Sequence, residues 1–508
     1  MFKNRQGLIV ASVISGLFIV IAGTLSGQFL PFKQSFIPNG TSFLNPGAAS
    51  QTYSSVGGGI AETGPFFQSL GTNGRSCSTC HQPSDGMSVS ALSVALRFLQ
   101  TQGLDPIFRP VDGSNCNHNI DVSTVSGRYA AYSLLRTRGL FRIAINVPAT
   151  ADYVVTAVHN PYGCNETGVI SQYRRPLPGT NLRFLSAVMW DGRESSSLTG
   201  TSKIIYANYP ASLQSDLAHQ ALDATVGHAQ GDGTRPTPAE QTEIVNFEMA
   251  LSTAQSFSFF TGPLNSAGAN GGPVALATLP FFLSINSSVQ ALLPAGPEQP
   301  GGLFTPGDSQ FSPNIFNLYS AWSGLPSYDF RASVARGQAI FNNRPITITG
   351  VAGINDDVSA GGLISGGIPS LIGTCGTCHD TPNVGNHSFP TPLNIGTGDP
   401  SATHSGDNMG GLDIGYLPRI TVCQLVNGQP SNNCKTTTDL GQALIDGLFA
   451  HVGKIKGPIL RGLSARAPYF HNGSAQTLMD VVRFYETRFG LVLSRQDEID
   501  LFNFLSVL

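Results

Sequence analysis

Cys77-Ser78-Thr79-Cys80-His81 and Cys375-Gly376-Thr377-Cys378-His379 are two copies of one pentad, Cys-x-x-Cys-His, one in each half of a 508-residue chain. In such a pentad the two thiols add across the vinyl groups of a haem and the adjacent histidine ligates its iron. A redox dithiol or half a zinc site would use the cysteines, but neither requires a histidine directly after the second one, and the pentad occurs twice. The expected cofactors are two covalently bound haem c groups. Cys77, Cys80, Cys375 and Cys378 would hold them, with His81 and His379 as proximal iron ligands.

The compartment follows from the rest of the cysteine and charge pattern. Gly7 to Leu25 is an uncharged apolar run preceded by Lys3 and Arg5, so residues 1–30 read as a secretory signal or an uncleaved membrane anchor. Covalent haem attachment takes place outside the cytoplasmic membrane in bacteria. A periplasmic protein is therefore expected, soluble or tethered to the inner membrane. Four cysteines are left over, Cys116, Cys164, Cys423 and Cys434. Of the three connectivities that four cysteines allow, 116–164 with 423–434 is the simplest, because each bond stays within one haem-bearing half. Only 12% of residues are charged and the net charge is -3, which argues against nucleic acid as a partner.

Residues 36–260 carry the first pentad and 333–508 the second. Between them, 261–332 is rich in glycine and proline without helical or strand period, and reads as a linker. The periodic segments are mainly helical: Val89 to Gln100, Pro238 to Thr253, Ser333 to Phe341, Ser474 to Phe489 and Ser494 to Leu508. In the fourth, Ser474 can cap, Leu478, Val481, Val482 and Tyr485 share one face, and Gly490 ends the run. Tyr153 to Val158 and Pro345 to Gly350 are β-branched pieces expected as short hairpins within long loops. The fold class is thus mainly α.

Four segments carry a resemblance. Arg336-Gly-Gln-Ala-Ile-Phe341, Gly457-Pro-Ile-Leu-Arg-Gly-Leu463 and Ala467-Pro-Tyr-Phe-His-Asn-Gly-Ser474 in the second half, with Met189-Trp-Asp-Gly-Arg193 in the first, resemble the bacterial dihaem cytochrome c peroxidase superfamily, which includes MauG. The resemblance is near continuous in the second half. In the first it is confined to the pentad, the Trp-Asp-Gly-Arg segment and Gln220-Ala221, and the interval from His81 to Trp190 is longer than in a typical member. It implies two cytochrome c-like haem domains facing a shared interface. The first haem would be peroxidatic, the second an electron-transfer haem, and Trp190 would lie between them as an electron relay or, alternatively, as a packing residue.

Two departures from the family pattern matter chemically. Cleaving the O–O bond of peroxide needs a base beside the open iron face. The family's glutamate falls here in Val226-Gly-His-Ala-Gln230, which leaves His228, or second Gln230, for that role, unless His228 is a structural histidine. Where typical members place a methionine as sixth ligand of the second haem, this chain has Tyr485, as MauG has tyrosine; Met409 and Met479 are the alternatives. The resemblance also implies that Arg461 and His471 contact haem propionates or the domain interface. It further implies a calcium ion held mainly by backbone carbonyls, with Arg466 and Pro468 at the matching positions. His118, His159, His219, His387, His404 and His451 have no ligand spacing and read as surface or structural residues.

The leading functional expectation is a periplasmic haem oxidoreductase that uses hydrogen peroxide, either as a peroxidase or as a MauG-like oxidase. Its partners would be an electron-donor cytochrome or small copper protein, or an oxidisable substrate. A dihaem electron carrier without substrate chemistry, and a dioxygen-using oxygenase of the rubber-cleaving type, are the alternatives.

Overall fold

A computed structural model describes residues 35–116, 120–164, 169–185, 187–195, 211–279, 315–357, 367, 369–386, 392–400 and 412–508. The N-terminal apolar run, His118, His387, His404 and Met409 lie outside the described residues. No described helix is long and apolar enough to cross a membrane.

The expectation of a mainly helical chain holds in part: the helices are joined by five small sheets among the described residues. Helices form at Ala91–Thr101, Ala211–Ala229, Pro238–Ala250, Phe330–Asn343, Leu478–Phe489 and Arg495–Ser506. Two of the expected boundaries move. Thr477, not Ser474, caps the 478–489 helix, through a reciprocal pair of bonds with Asp480. The helix expected to reach Thr253 stops at Ala250, and Leu251–Ser258 continues as a strand paired with Ala48–Ser54. There the hydrogen bonds of a distant strand and the burial of the segment override the helical period.

The expected hairpins are also non-local. Tyr153–His159 pairs with Arg419–Val426, which in turn pairs with Gln429–Thr437, so one sheet combines strands from both halves of the chain. Ile346–Thr349 pairs with Ser370–Gly373. The disulfides are Cys116–Cys164 and Cys423–Cys434.

The largest core cluster shows why part of the glycine-rich stretch is not free linker. Phe316, Tyr319 and Trp322 are buried against Phe341 and Phe504, and Leu264 and Ala269 join them. The 330–343 and 495–506 helices cross closely because Gly337 has no side chain. A Cβ there would meet the Asp500 carbonyl oxygen at 2.0 Å. Next to that crossing, buried Asp500 accepts from Ser333 and Arg336, so the helix pair is locked by packing and charge together. This packing places Phe341 in the wall into which the second pentad faces.

Candidate functional site

Both pentads are held by the same local device. Before the first, the Ser76 amide donates to the Thr79 hydroxyl at 2.9 Å; before the second, the Thr374 amide donates to the Thr377 hydroxyl at 2.8 Å. The tight turn brings each histidine amide back to the first cysteine's carbonyl, at 3.0 Å for His81 and 3.1 Å for His379. Nδ1 of His81 faces the Met87 carbonyl at 3.0 Å and Nδ1 of His379 faces the Gly385 carbonyl at 2.9 Å. A carbonyl can only accept, so Nδ1 carries the hydrogen and Nε2 keeps its lone pair for a metal. Burial lowers the basicity of both rings, His379 to about 4, which keeps them neutral, the form a ligand needs.

The four pentad thiols are not disulfide-bonded. Burial pushes Cys77, Cys375 and Cys378 up to about 12 and Cys80 up to about 11, so they stand as protonated thiols. That disfavours the redox-dithiol reading, which depends on a stable thiolate.

Each pentad opens into a cavity. The first encloses about 1070 Å³ of empty space, its open mouth included, and is lined by Cys80 and His81, by apolar Leu182, Leu185 and Met189, and by the titratable His228 and Glu248. His228 sits near the end of the 211–229 helix with its Nδ1 2.5 Å from Asp112 Oδ2. Asp112 is buried and its other oxygen accepts from buried Arg75. Burial alone would raise its carboxyl, but the His228 hydrogen bond and the Arg75 charge outweigh it and hold Asp112 below the usual carboxylate range. An ionised Asp112 fixes the hydrogen of His228 on Nδ1 and leaves Nε2 as the base. Glu248 is buried with Oε2 unpaired, and burial pushes it up to about 8.

The second cavity encloses about 1680 Å³ and is lined by Cys375, Cys378, His379 and Tyr485 amid aliphatic side chains such as Ile346, Ile348, Leu371 and Leu393. Nε2 of His379 and the Tyr485 hydroxyl face each other at 3.5 Å. His379 and Tyr485 are the residues that would hold a haem iron here. Burial, then the two neighbouring thiols, raises the Tyr485 phenol above its ordinary value. It is therefore a neutral phenol until a cation favours its deprotonation. Met479, the described alternative, packs against the core cluster and is not part of the cavity wall.

Arg175, Pro176, Trp190 and Lys456 belong to the walls of both cavities. Trp190 donates its indole N–H to the Arg175 carbonyl at 2.7 Å and meets the His471 ring edge-on at 6.1 Å. Arg175 and Arg466 line the second cavity without a carboxylate partner among the described residues, and buried His471 has Nε2 3.7 Å from Asp439 Oδ2, beyond hydrogen-bond distance. A haem fits this donor set: thiols for its vinyl groups, neutral imidazoles for its iron, and, in Lys456, a buried basic side chain with one hydrogen bond, to the Gly457 carbonyl, for a carboxylate.

One expectation needs correction. Gln230 is exposed, with a left-handed backbone (φ 55), and lies outside the first cavity; only its carbonyl is engaged, by Thr72. Arg461, expected at haem propionates or the domain interface, is absent from both cavity walls and donates to the Asn383 carbonyl at 3.1 Å and to the Gly272 carbonyl at 3.5 Å. At the position expected to face a calcium ion, the Arg466 carbonyl accepts from the Arg175 guanidinium at 2.8 Å. Among the other histidines, His219 pairs with Glu194, His451 pairs with Asp446, and His159 is exposed at a strand end.

Sequence reasoning missed Asp112, Glu248, Arg175 and Lys456. Asp112 lies in the long interval after the first pentad, where no motif marks it. Lys456 directly precedes the Gly457 segment, and its position there was the one available signal.

No family model matches this sequence, and no curated protein matches it. A crystal structure of a tyrosine-to-methionine variant of the dihaem peroxidase BthA from Burkholderia thailandensis is similar at 14% identity, covering 92% of this chain and 94% of that one. The TM-score is 0.25. A likeness of that size carries no argument, and the reading rests on the residues themselves.

Proposed function

We propose that this chain is a periplasmic dihaem c-type oxidoreductase of the dihaem cytochrome c peroxidase and MauG superfamily, acting on peroxide. The observation that carries the proposal is the asymmetry of the two sites. In the second cavity His379 faces a phenol 3.5 Å away, whereas the first combines His81 with a carboxylate-held His228. The arrangement in the second cavity suits a capped electron store; that in the first suits proton transfer to a small substrate.

Haem, when bound through Cys77, Cys80, Cys375 and Cys378, supplies the redox chemistry. The chain supplies the rest. His228 Nε2 takes the proton of the incoming peroxide and returns it to the leaving oxygen, while Asp112 stabilises the imidazolium that forms. Leu182, Leu185 and Met189 give the cavity an apolar wall. Trp190 provides an aromatic bridge in the wall common to both sites. An electron-donor cytochrome, a small copper protein or an oxidisable substrate would close the cycle.

The test combines haem counting with spin state. Two haems per chain that survive denaturation, one high-spin and reactive with peroxide and one low-spin, are expected. Two low-spin haems in every redox state would overturn the peroxide reading in favour of an electron carrier.

A further inference from the structure

Lys456 is a buried lysine, 3% exposed, in the wall where the two cavities meet. Its placement is imposed by backbone pairing. Ile455 exchanges both hydrogen bonds with Leu393 at 3.0 Å, and the Lys456 amide donates to the Trp190 carbonyl at 2.8 Å. Two residues earlier, Lys454 shows what a buried lysine here normally finds, since its Nζ reaches Asp357 at 2.8 Å. Lys456 has no such partner among the described residues. Its Nζ, with three N–H donors, makes one hydrogen bond, to the adjacent Gly457 carbonyl at 3.1 Å.

A buried cation without an anion is costly, and the neighbouring guanidiniums do not share its situation. Arg175 spends its donors on the carbonyls of Arg138, Val89 and Arg466, and Arg466 donates to those of Ile459 and Arg461. Glu248, the buried acid of the first cavity, is no counter-ion either. No ion pair joins the two among the described residues, and burial shifts Glu248 up to about 8 and Lys456 down to about 7. The two unused N–H donors of Lys456 are therefore left for a ligand.

We propose that Lys456 binds a haem carboxylate at the junction of the two cavities, beside Trp190, and so sets the redox balance between the sites. This rests on the dihaem reading above. The ligand class is a carboxylate that enters with the cofactor, and its negative charge restores the lysine to its protonated form. A cation held there stabilises the reduced, more negative state of the haem it contacts, so its removal lowers that haem's midpoint potential.

The experiment is a spectroelectrochemical titration of wild-type, Lys456→Met and Lys456→Arg holoproteins, each first shown to carry two covalent haems. Lys456→Met is expected to shift the ferrous-to-ferric ratio of one haem about tenfold at fixed potential, a fall of about 59 mV for one electron. Lys456→Arg is expected to keep the wild-type value. Lys456→Gln serves as a second neutral variant should methionine not be tolerated. Unchanged potentials in a neutral variant with both haems attached would overturn the proposal, and so would an equal shift in Lys456→Arg, which would mark a packing effect. Wild-type protein without two haems would instead sink the functional reading on which it rests.

Discussion

Replacing Asp112 with asparagine changes one atom's chemistry while keeping the side chain's shape. In the native site both carboxylate oxygens accept, one from Arg75 Nη1 and one from His228 Nδ1, each at 2.5 Å. Asparagine offers one oxygen and one NH2. If the oxygen stays with Arg75, the NH2 faces His228 and donates to Nδ1, which moves the imidazole hydrogen to Nε2 and removes the base from the cavity side. General-base catalysis is worth about 100- to 10,000-fold, so the second-order rate of peroxide reaction at the first haem should fall by at least about 100-fold. Arg75 is buried, 2% exposed, and loses a charge-assisted partner, which costs about 3 kcal/mol of folding stability. Stopped-flow absorbance at the first haem reads the rate; chemical denaturation reads the stability. A full rate in Asp112→Asn, with both haems attached, would refute the assignment of His228 as the base. A pH dependence follows from the same pair. Because the folded-state carboxyl is depressed, its stabilisation is complete above the unfolded value of about 4 and is lost as pH falls through the lower folded value.

Two further outcomes are expected. Tyr485→Phe should leave the first haem's spectrum alone and convert the second from low-spin toward five-coordinate or water-ligated; an unchanged second haem in magnetic circular dichroism would exclude phenolate ligation. Glu248 is raised to about 8 in the folded chain, against an ordinary 4.5, so its contribution is intact below about pH 4.5 and declines until about pH 8. Glu248→Gln should flatten that decline, by about 4 kcal/mol at its upper end, in denaturation curves measured across the interval.

Local chemistry was legible in the chain. The two pentads carry the haem-attachment proposal from the sequence alone, because the motif is five consecutive residues and needs no tertiary context. Most helices were legible too, since caps such as Ser494 and the 3.6-residue period are local signals. The disulfide pairing was read correctly from the way the four cysteines divide between the halves. The strand at Leu251–Ser258 and the mixed sheet of Tyr153–His159 with Arg419–Val426 were not legible, because backbone pairing over long separations leaves little trace in either segment alone.

The site divides along the same line. The sequence by itself determined which residues could bond a haem and its iron, since thiols, imidazoles and a phenol are fixed by residue type. Only the tertiary structure decided that Asp112 holds His228, that Gln230 and Arg461 stay off the cavity walls, and that Trp190 and Lys456 stand in the wall common to both. Those are statements of distance and burial between residues remote in the chain. Charge and hydrogen-bond roles depend on what lies within about 4 Å in space, which no local pattern of residue types specifies.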